Sequence, residues 1–538
     1  MTTLDKFATY LSIQSDECPT AASYLAKLGT PSTSIAILDD GTVSARCFST
    51  VGDDVDTVFQ AASISKSVTA LAVMKLIDEA RLSLDGTVGE LVPADVVDAL
   101  AEGYGKGTAH RTMVEGITIK QLMSHTAGLS TSGFIGYSVV NKSTIPTAKQ
   151  VILGGYPTNT PPVRLENPPG HTHSYSGGGI TVLQVILEEV TGKSFATLMQ
   201  DLVLGPLGMT RSSFHRLPSD EKNAAKAHFT GDVTAADAQH VQPEQAAAGL
   251  YTTPTDLLKV IAAVQDSLDG VEGALLKSAT ARTMLTVVRE GMALGWVVPM
   301  DLGYVFGHSG ANEPGFQCYV MGFADMRGRA ANGDAVVKKV PKRGGICVMT
   351  NSQMGVDVMW RSIQYMALSQ GWPKVAARGG VNPMRIPFAL PLGEMGTETS
   401  WQQWKGTWRE EGDDSNENYN DPDAVAKKDR RYVIEAAEGG AGGTSPRPVI
   451  RFGSMAQKGL SIALLPAAAP EAKTESGEWR LFVVEGMSMM ILLEEKDDKT
   501  DRRRGKDEET KSNDGGASKQ EIKLVNFAVG EVVQLVRA

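Results

Sequence analysis

The chain has 538 residues, of which 42% are hydrophobic and 21% charged, enough for at least two domains with buried cores and ordinary for a soluble globular protein. Its formal net charge of -10 leaves no basic excess to neutralise phosphates, which argues against a general nucleic-acid binder. No apolar run approaches the roughly 20 residues needed to span a bilayer.

The N-terminus, "MTTLDKFATYLSIQSDECPT", has no basic region followed by an uninterrupted apolar stretch, so no secretory signal is read there. Cys18, Cys47, Cys318 and Cys347 are too few and scattered for a disulfide scaffold, and none has the close spacing of a zinc site. They read as buried thiols in a reduced compartment, and the protein as cytoplasmic.

Over residues 33–60, "TSIAILDDGTVSARCFSTVG" predicts two strands joined at Asp40-Gly41. From Ser63 the period changes to that of an amphipathic helix. Val68, Leu71, Ala72, Leu76 and Ile77 mark its apolar face, and Asp78, Glu79 and Arg81 close it. Helical patterns and Gly/Pro-rich loops then alternate to about residue 290, including "TVLQVILEEVTG". Strand patterns return in "GYVFGHSG", "GFQCYVMGFA" and "GGICVMTNS". The economical arrangement is a sheet begun by the N-terminal strands and completed by the late ones, with a mostly helical insertion between them.

Pro and Gly accumulate in "GGVNPMRIPFALPLGEMG", which reads as a linker over 381–400 after a first domain over 1–380. Short strand-like runs separated by turns then suggest an antiparallel β domain over 401–538, barrel or sandwich. The mixed-charge stretch "EEKDDKTDRRRGKDEETKSNDGGASK" reads as a solvated loop.

Ser63 and Lys66 lie three positions apart at the start of the predicted helix, so both fall on one face. A helix N-terminus presents free N–H groups where an oxyanion could form, and a lysine in a partly desolvated site can accept a proton from serine. Alone the pair decides nothing, because Ser-x-x-Lys arises by chance about once or twice in a chain this long. It recurs at Ser219 and Lys222 in "RLPSDEKNAAKAHF", a polar setting that reads as a surface loop or helix cap.

Two further stretches change the reading. "NPPGHTHSYSGGGITVLQVILEEVTG" puts Tyr175, Ser176 and Gly177 in a glycine-rich turn entering a helix, and "FGHSGANEPGFQCYV" puts His308, Ser309 and Gly310 at a strand end. With "TIKQLMSHTAGLS", "LGPLGMTRSSF", "PEQAAAGLYTTPTDL" and "VMTNS", the chain from about 30 to 355 resembles the penicillin-recognising serine hydrolases. These include serine β-lactamases, DD-peptidases, D-aminopeptidases and related esterases and acyltransferases. The resemblance implies an α/β (α+β) fold of β-lactamase/transpeptidase type, with an antiparallel sheet flanked by helices and a helical subdomain. It makes Ser63 the acylated nucleophile, Lys66 its proton partner and Tyr175 a second general acid/base. His308, Ser309 and Gly310 would line the site, and the N–H groups of Ser63 and Ala311 would form the oxyanion hole. The C-terminal β domain resembles the lipocalin-like appendages of some relatives.

Gly177 stands where penicillin-targeting members usually have Asn, and His308 where many β-lactamases have Lys. The first removes a hydrogen-bonding group for a substrate amide, and the second weakens recognition of a carboxylate, because imidazole is largely neutral near pH 7. The implied activity is therefore hydrolysis of a small ester, amide or peptide, including D-amino-acid or lactam types. Acyl transfer by the same acyl-enzyme is the alternative, and a binding protein on an inactive scaffold the rival from another class. His125 is expected to have a structural hydrogen bond. His171 and His173 form a His-x-His pair without the further ligands of a zinc hydrolase, so no metal or cofactor is expected. The partner is a small-molecule substrate, with no nucleic acid or membrane; oligomeric state is not legible in the sequence.

Overall fold

The computed structural model describes residues 2–369 apart from 13–17, 103–107, 139–143, 219–220, 231–232, 235–239, 300–304, 314 and 325–342, and beyond 369 it describes nine strands. Ser219, the 381–400 linker and most of the mixed-charge stretch lie outside the described residues. The first residues of that stretch are the end of a strand, Met489–Lys496. By its internal contacts the chain divides into two compact units, Met1–Pro373 and Lys374–Ala538.

The first unit is built on a five-stranded antiparallel sheet: β1 (Ser32–Asp39), β2 (Thr42–Ser49), β3 (Val305–Asn312), β4 (Phe316–Phe323) and β5 (Gly345–Thr350), in the order β2-β1-β5-β4-β3. The β1–β2 turn has Asp40 and Gly41 at φ 43° and 83°. Two consecutive positive φ values suit the twist of a tight hairpin, and Asp-Gly is a pair that tolerates them. Inside the sheet β1 pairs with β5, Thr33 opposite Thr350, so the two ends of this unit's sequence meet at its centre. Ser32–Leu38 are buried on both sides of the strand, which explains an apolar run where a one-faced strand would alternate. The helices α4 (Pro254–Asp269) and α5 (Gly355–Ser369) pack on this sheet.

Between β2 and β3 runs the mostly helical insertion. It contains α1 (Ile64–Asp78), α2 (Gly177–Thr191) and the short α3 (Gln245–Ala248). The amphipathic reading of α1 is corrected: every residue from Ile64 to Met74, polar ones included, is buried. Its polar side chains are short and find partners in the surrounding backbone. Ser67 Oγ donates to Gly295 O at 2.6 Å, Thr69 Oγ1 donates to Ala246 O at 3.2 Å, and Ser65 Oγ accepts from Leu250 N at 3.0 Å. Paired in this way, hydroxyls cost little to bury, so α1 from Ile64 to Met74 runs through the core, and only its last turn, at Lys75, Ile77 and Asp78, reaches partial exposure.

In the second unit nine strands pair antiparallel. A further pairing of Ile462–Ala467 with Gly477–Val484 joins the first strand of the order to the last but one. Among the described residues no helix is long and apolar enough to cross a membrane.

Candidate active site

Three segments converge where α1 begins. The first is the turn into the helix. Ala62 has φ 48°, a left-handed conformation that a residue with a Cβ adopts at a cost of about 1 kcal/mol or more. It delivers Ser63 at the helix cap. The N–H groups of Ile64, Ser65 and Lys66 turn back onto the carbonyls of Ala61, Ala62 and Ser63. From below, the Cys318 thiol donates to Ala61 O at 3.1 Å. Lys66 is 3% exposed, and its Nζ donates to Ser63 Oγ at 2.9 Å and to Ala247 O at 2.7 Å. The amine is therefore held between the serine hydroxyl and a carbonyl on α3.

The second segment carries Tyr175 into α2. Ser176 caps that helix through Oγ, which accepts from Gly179 N at 2.8 Å. The Tyr175 ring lies with its centroid 5.1 Å from Lys66 Nζ, 4.3 Å from the His125 ring and 6.2 Å from the His308 ring. His125, at φ 55°, accepts from Ser176 N through Nδ1 at 3.1 Å. It has the structural hydrogen bond expected of it and also forms a wall behind Tyr175. Burial, reinforced by the Lys66 charge, holds the His125 imidazole well below the usual histidine range.

A third segment, β3, is an edge strand of the sheet. His308 and Gly310 are buried, while Ser309 and Ala311 are exposed. His308 Nδ1 donates to Ser309 O at 2.5 Å, and burial together with the Lys66 charge lowers its imidazole to about 4. Gly310 has a packing reason to be glycine: a Cβ there would stand 2.3 Å from Ala61 O and 2.7 Å from Cys318 Sγ. The β3 backbone can approach the Ser63 turn only without that atom.

Ser63, Lys66, Tyr175 and His308 are thus brought together. At Gly177 a Cβ would meet Phe134 Cε2 at 2.7 Å, so an aromatic edge occupies the space into which a side chain would project. His171 is exposed and His173 stands edge-on to His125 at 6.2 Å. Among the described residues no group of three or more His, Cys, Asp or Glu side chains is placed to hold a metal ion.

Sequence reasoning missed Phe134 and the Ala247 carbonyl, and, at the entry to α3, a buried carboxyl on Glu244. Glu244 is 0% exposed, neither carboxylate oxygen has a hydrogen-bond partner among the described residues, and burial pushes its carboxyl up to about 7. The quoted "PEQAAAGLYTTPTDL" contained Glu244 and Ala247, but nothing local says which residue of such a stretch faces Lys66.

A buried lysine on a serine at a helix start, a tyrosine in the next turn and a strand edge alongside define a family. The chain belongs to the beta-lactamase family, whose model, described as Beta-lactamase, matches residues 20–357. Protein flp of Staphylococcus aureus (strain MRSA252) is similar, 30% identical over 170 residues, 31% of this chain and 30% of that protein. Penicillin-binding protein 4 of Amycolatopsis lactamdurans is 29% identical over 158 residues, 29% of this chain and 36% of its own. The chain therefore spans about a third of the length of these curated relatives. Among solved structures, the octameric penicillin-binding protein homologue from Pyrococcus abyssi has a TM-score of 0.51 at 20% identity, covering 95% of this chain and 97% of that one. That likeness speaks for the fold.

Proposed function

We propose that the protein is a serine hydrolase that works through an acyl-enzyme on Ser63 and cleaves a small ester, amide or peptide, D-amino-acid and lactam types included. The observation that carries this reading is the 2.9 Å bond between Lys66 Nζ and Ser63 Oγ, with the amine fixed from its other side by Ala247 O. In the reacting form that bond reverses. The neutral amine takes the Ser63 proton as Oγ adds to the substrate carbonyl carbon. The oxyanion so formed lies at the N–H groups of Ser63 and Ala311. Tyr175, whose ring borders Lys66, gives the leaving group a proton through its hydroxyl, and water then hydrolyses the ester on Ser63. The Phe134 edge beside Gly177 leaves a side-chain amide such as that of benzylpenicillin without a hydrogen-bonding partner there, which favours short esters and small amides that carry no such group. In this reading the C-terminal strands form a lipocalin-like barrel, supported by the pairing that joins the first strand of their order to the last but one.

Intact mass after exposure to a p-nitrophenyl ester tests the reading: one acyl group should add to the protein, and Ser63→Ala should abolish both labelling and turnover. An alanine variant with most of its activity would end the assignment. Tyr175→Phe should slow an amide far more than a p-nitrophenyl ester, because nitrophenolate leaves without protonation and an amine does not. Equal losses would move Tyr175 from the leaving group to activation of the serine.

A further inference from the structure

The two N–H groups assigned to the oxyanion come from distant parts of the chain, Ser63 from the turn into α1 and Ala311 from the edge strand β3. One side chain touches both segments. Cys318, on β4, is 1% exposed, and its Sγ lies 3.1 Å from Ala61 O and 3.4 Å from Gly310 O. The thiol has one proton to give, which the two carbonyls share as in a three-centre bond. Burial pushes the Cys318 thiol well above its usual range, so that proton stays in place near neutral pH.

Each carbonyl orients one of the two donors. Gly310 O and Ala311 N–H belong to one peptide unit, and in a trans peptide they point in opposite directions. With the carbonyl turned toward Cys318 on β4, the N–H of Ala311 faces outward from the sheet edge, where Ala311 is exposed. On the other segment, Ala61 lies just before Ala62, whose left-handed φ of 48° leads into Ser63. Such a conformation persists only where its surroundings hold it. Ala61 is held twice from outside its own turn, its N–H donating to Leu250 O at 2.8 Å and its carbonyl accepting from Cys318. Gly310 lets the segments meet, since a Cβ there would stand 2.7 Å from Cys318 Sγ.

We infer that Cys318 is a positioning residue for the reaction on Ser63: its thiol, set between Ala61 O and Gly310 O, fixes the gap between the N–H groups of Ser63 and Ala311. The inference rests on the reading of Ser63 as the acylated nucleophile. Two donors stabilise a developing oxyanion only when both lie about 2.7–3.1 Å from the place its oxygen will take. Sliding one segment against the other lengthens one of those bonds. That raises the barrier while leaving the uncharged ester almost as well bound as before. Cys318 itself touches neither substrate nor the reacting atoms and acts through the main chain alone.

The nitrophenolate burst of the full-length protein with p-nitrophenyl acetate, followed over a range of ester concentrations, resolves the acylation rate constant from the ester's Kd. Cys318→Ala should lower the rate constant by about 10-fold or more, part of the loss seen when an oxyanion donor is removed outright, and change Kd by less than about 3-fold. Cys318→Ser restores a donor and should bring the rate constant back to within about 3-fold of the unsubstituted protein. A cysteine that only filled space would show no such rescue, because a buried serine packs no better than alanine. Should Cys318→Ala fail to fold, Cys318→Val, which fills the thiol's place and donates nothing, is judged in the same way. An alanine or valine variant that acylates at the unsubstituted rate, a serine variant no faster than either, or a Kd that weakens as much as the rate falls would overturn the inference. In all those cases the unsubstituted protein still acylates on Ser63. Absence of that acylation would instead end the hydrolase reading, and the inference with it.

Discussion

Two stretches beside the short helix α3 bury polar side chains, and they treat them in opposite ways. On α1, Ser65, Ser67, Lys66 and Thr69 are all buried, and each is hydrogen-bonded to backbone 177 to 228 positions away. At the entry to α3, Gln242 and Glu244 are equally buried, yet both side-chain amide atoms and both carboxylate oxygens lack partners among the described residues. The difference teaches where this fold holds its chemistry rigidly. Satisfied polar groups fix the geometry of the serine and lysine, because any displacement would leave a buried donor or acceptor unpaired. The unsatisfied pair next door leaves a group that titrates.

The largest break in this comparison comes from Lys66→Ala, which removes the amine that links Ser63 to α3. Acylation by a p-nitrophenyl ester should slow by about 100-fold or more, read as the rate of the nitrophenolate burst. An unchanged burst would detach Lys66 from the chemistry and reduce its two hydrogen bonds to packing.

Glu244→Gln sharpens the contrast from the other side. The ordinary carboxyl value is 4.5 and burial raises this one to about 7. Between those values the unfolded chain has released its proton while the folded protein keeps it, so stability falls as pH rises through the window, by about 3 kcal/mol in total. Stability from this group is full below 4.5 and lost above 7. Glutamine, a neutral mimic of the protonated acid, should raise the urea midpoint at pH 8 and leave it nearly unchanged at pH 4. A gain of the same size at both pH values would show that Glu244 acts through packing alone.

Smallest of the three is Ser67→Ala, which leaves Gly295 O without its 2.6 Å donor. A loss of about 1–2 kcal/mol in urea denaturation is expected, with acylation of Ser63 little altered. A large loss of rate without loss of stability would place Ser67 closer to the chemistry than its hydrogen bond does.

How far the site was legible follows from sequence distance. Ser63 and Lys66 are three residues apart, so helix geometry alone sets them on one face, and Asp40-Gly41 marks its hairpin by local turn chemistry. The motif order around Tyr175 and His308 pointed to their meeting. The partner of Lys66, by contrast, is a carbonyl 181 positions on, and any residue can supply a carbonyl. The burial of every residue of α1 from Ile64 to Met74 was illegible for a related reason: Ser65, Ser67 and Thr69 look wet until their backbone partners are known. Nor could the sequence assign the His308 proton, because that depends on the Ser309 carbonyl turning back toward its own neighbour.

The meeting of β1 with β5 also has a consequence for how the protein is made. Ser32 N donates to Asn351 Oδ1 across 319 positions of chain. At about 5–20 residues per second, a ribosome needs about 15–60 s to supply that partner. Until then the hairpin of β1 and β2 presents an open edge bearing Ile35 and Ile37, residues fully or almost fully buried once β5 arrives. An unpaired apolar edge is a template for pairing with another chain, and long-range closure of this kind is slow. The yield of active protein should therefore depend on how well a nascent N-terminal hairpin is kept from its copies, and slower growth at low temperature or added chaperone should raise it before any substitution does.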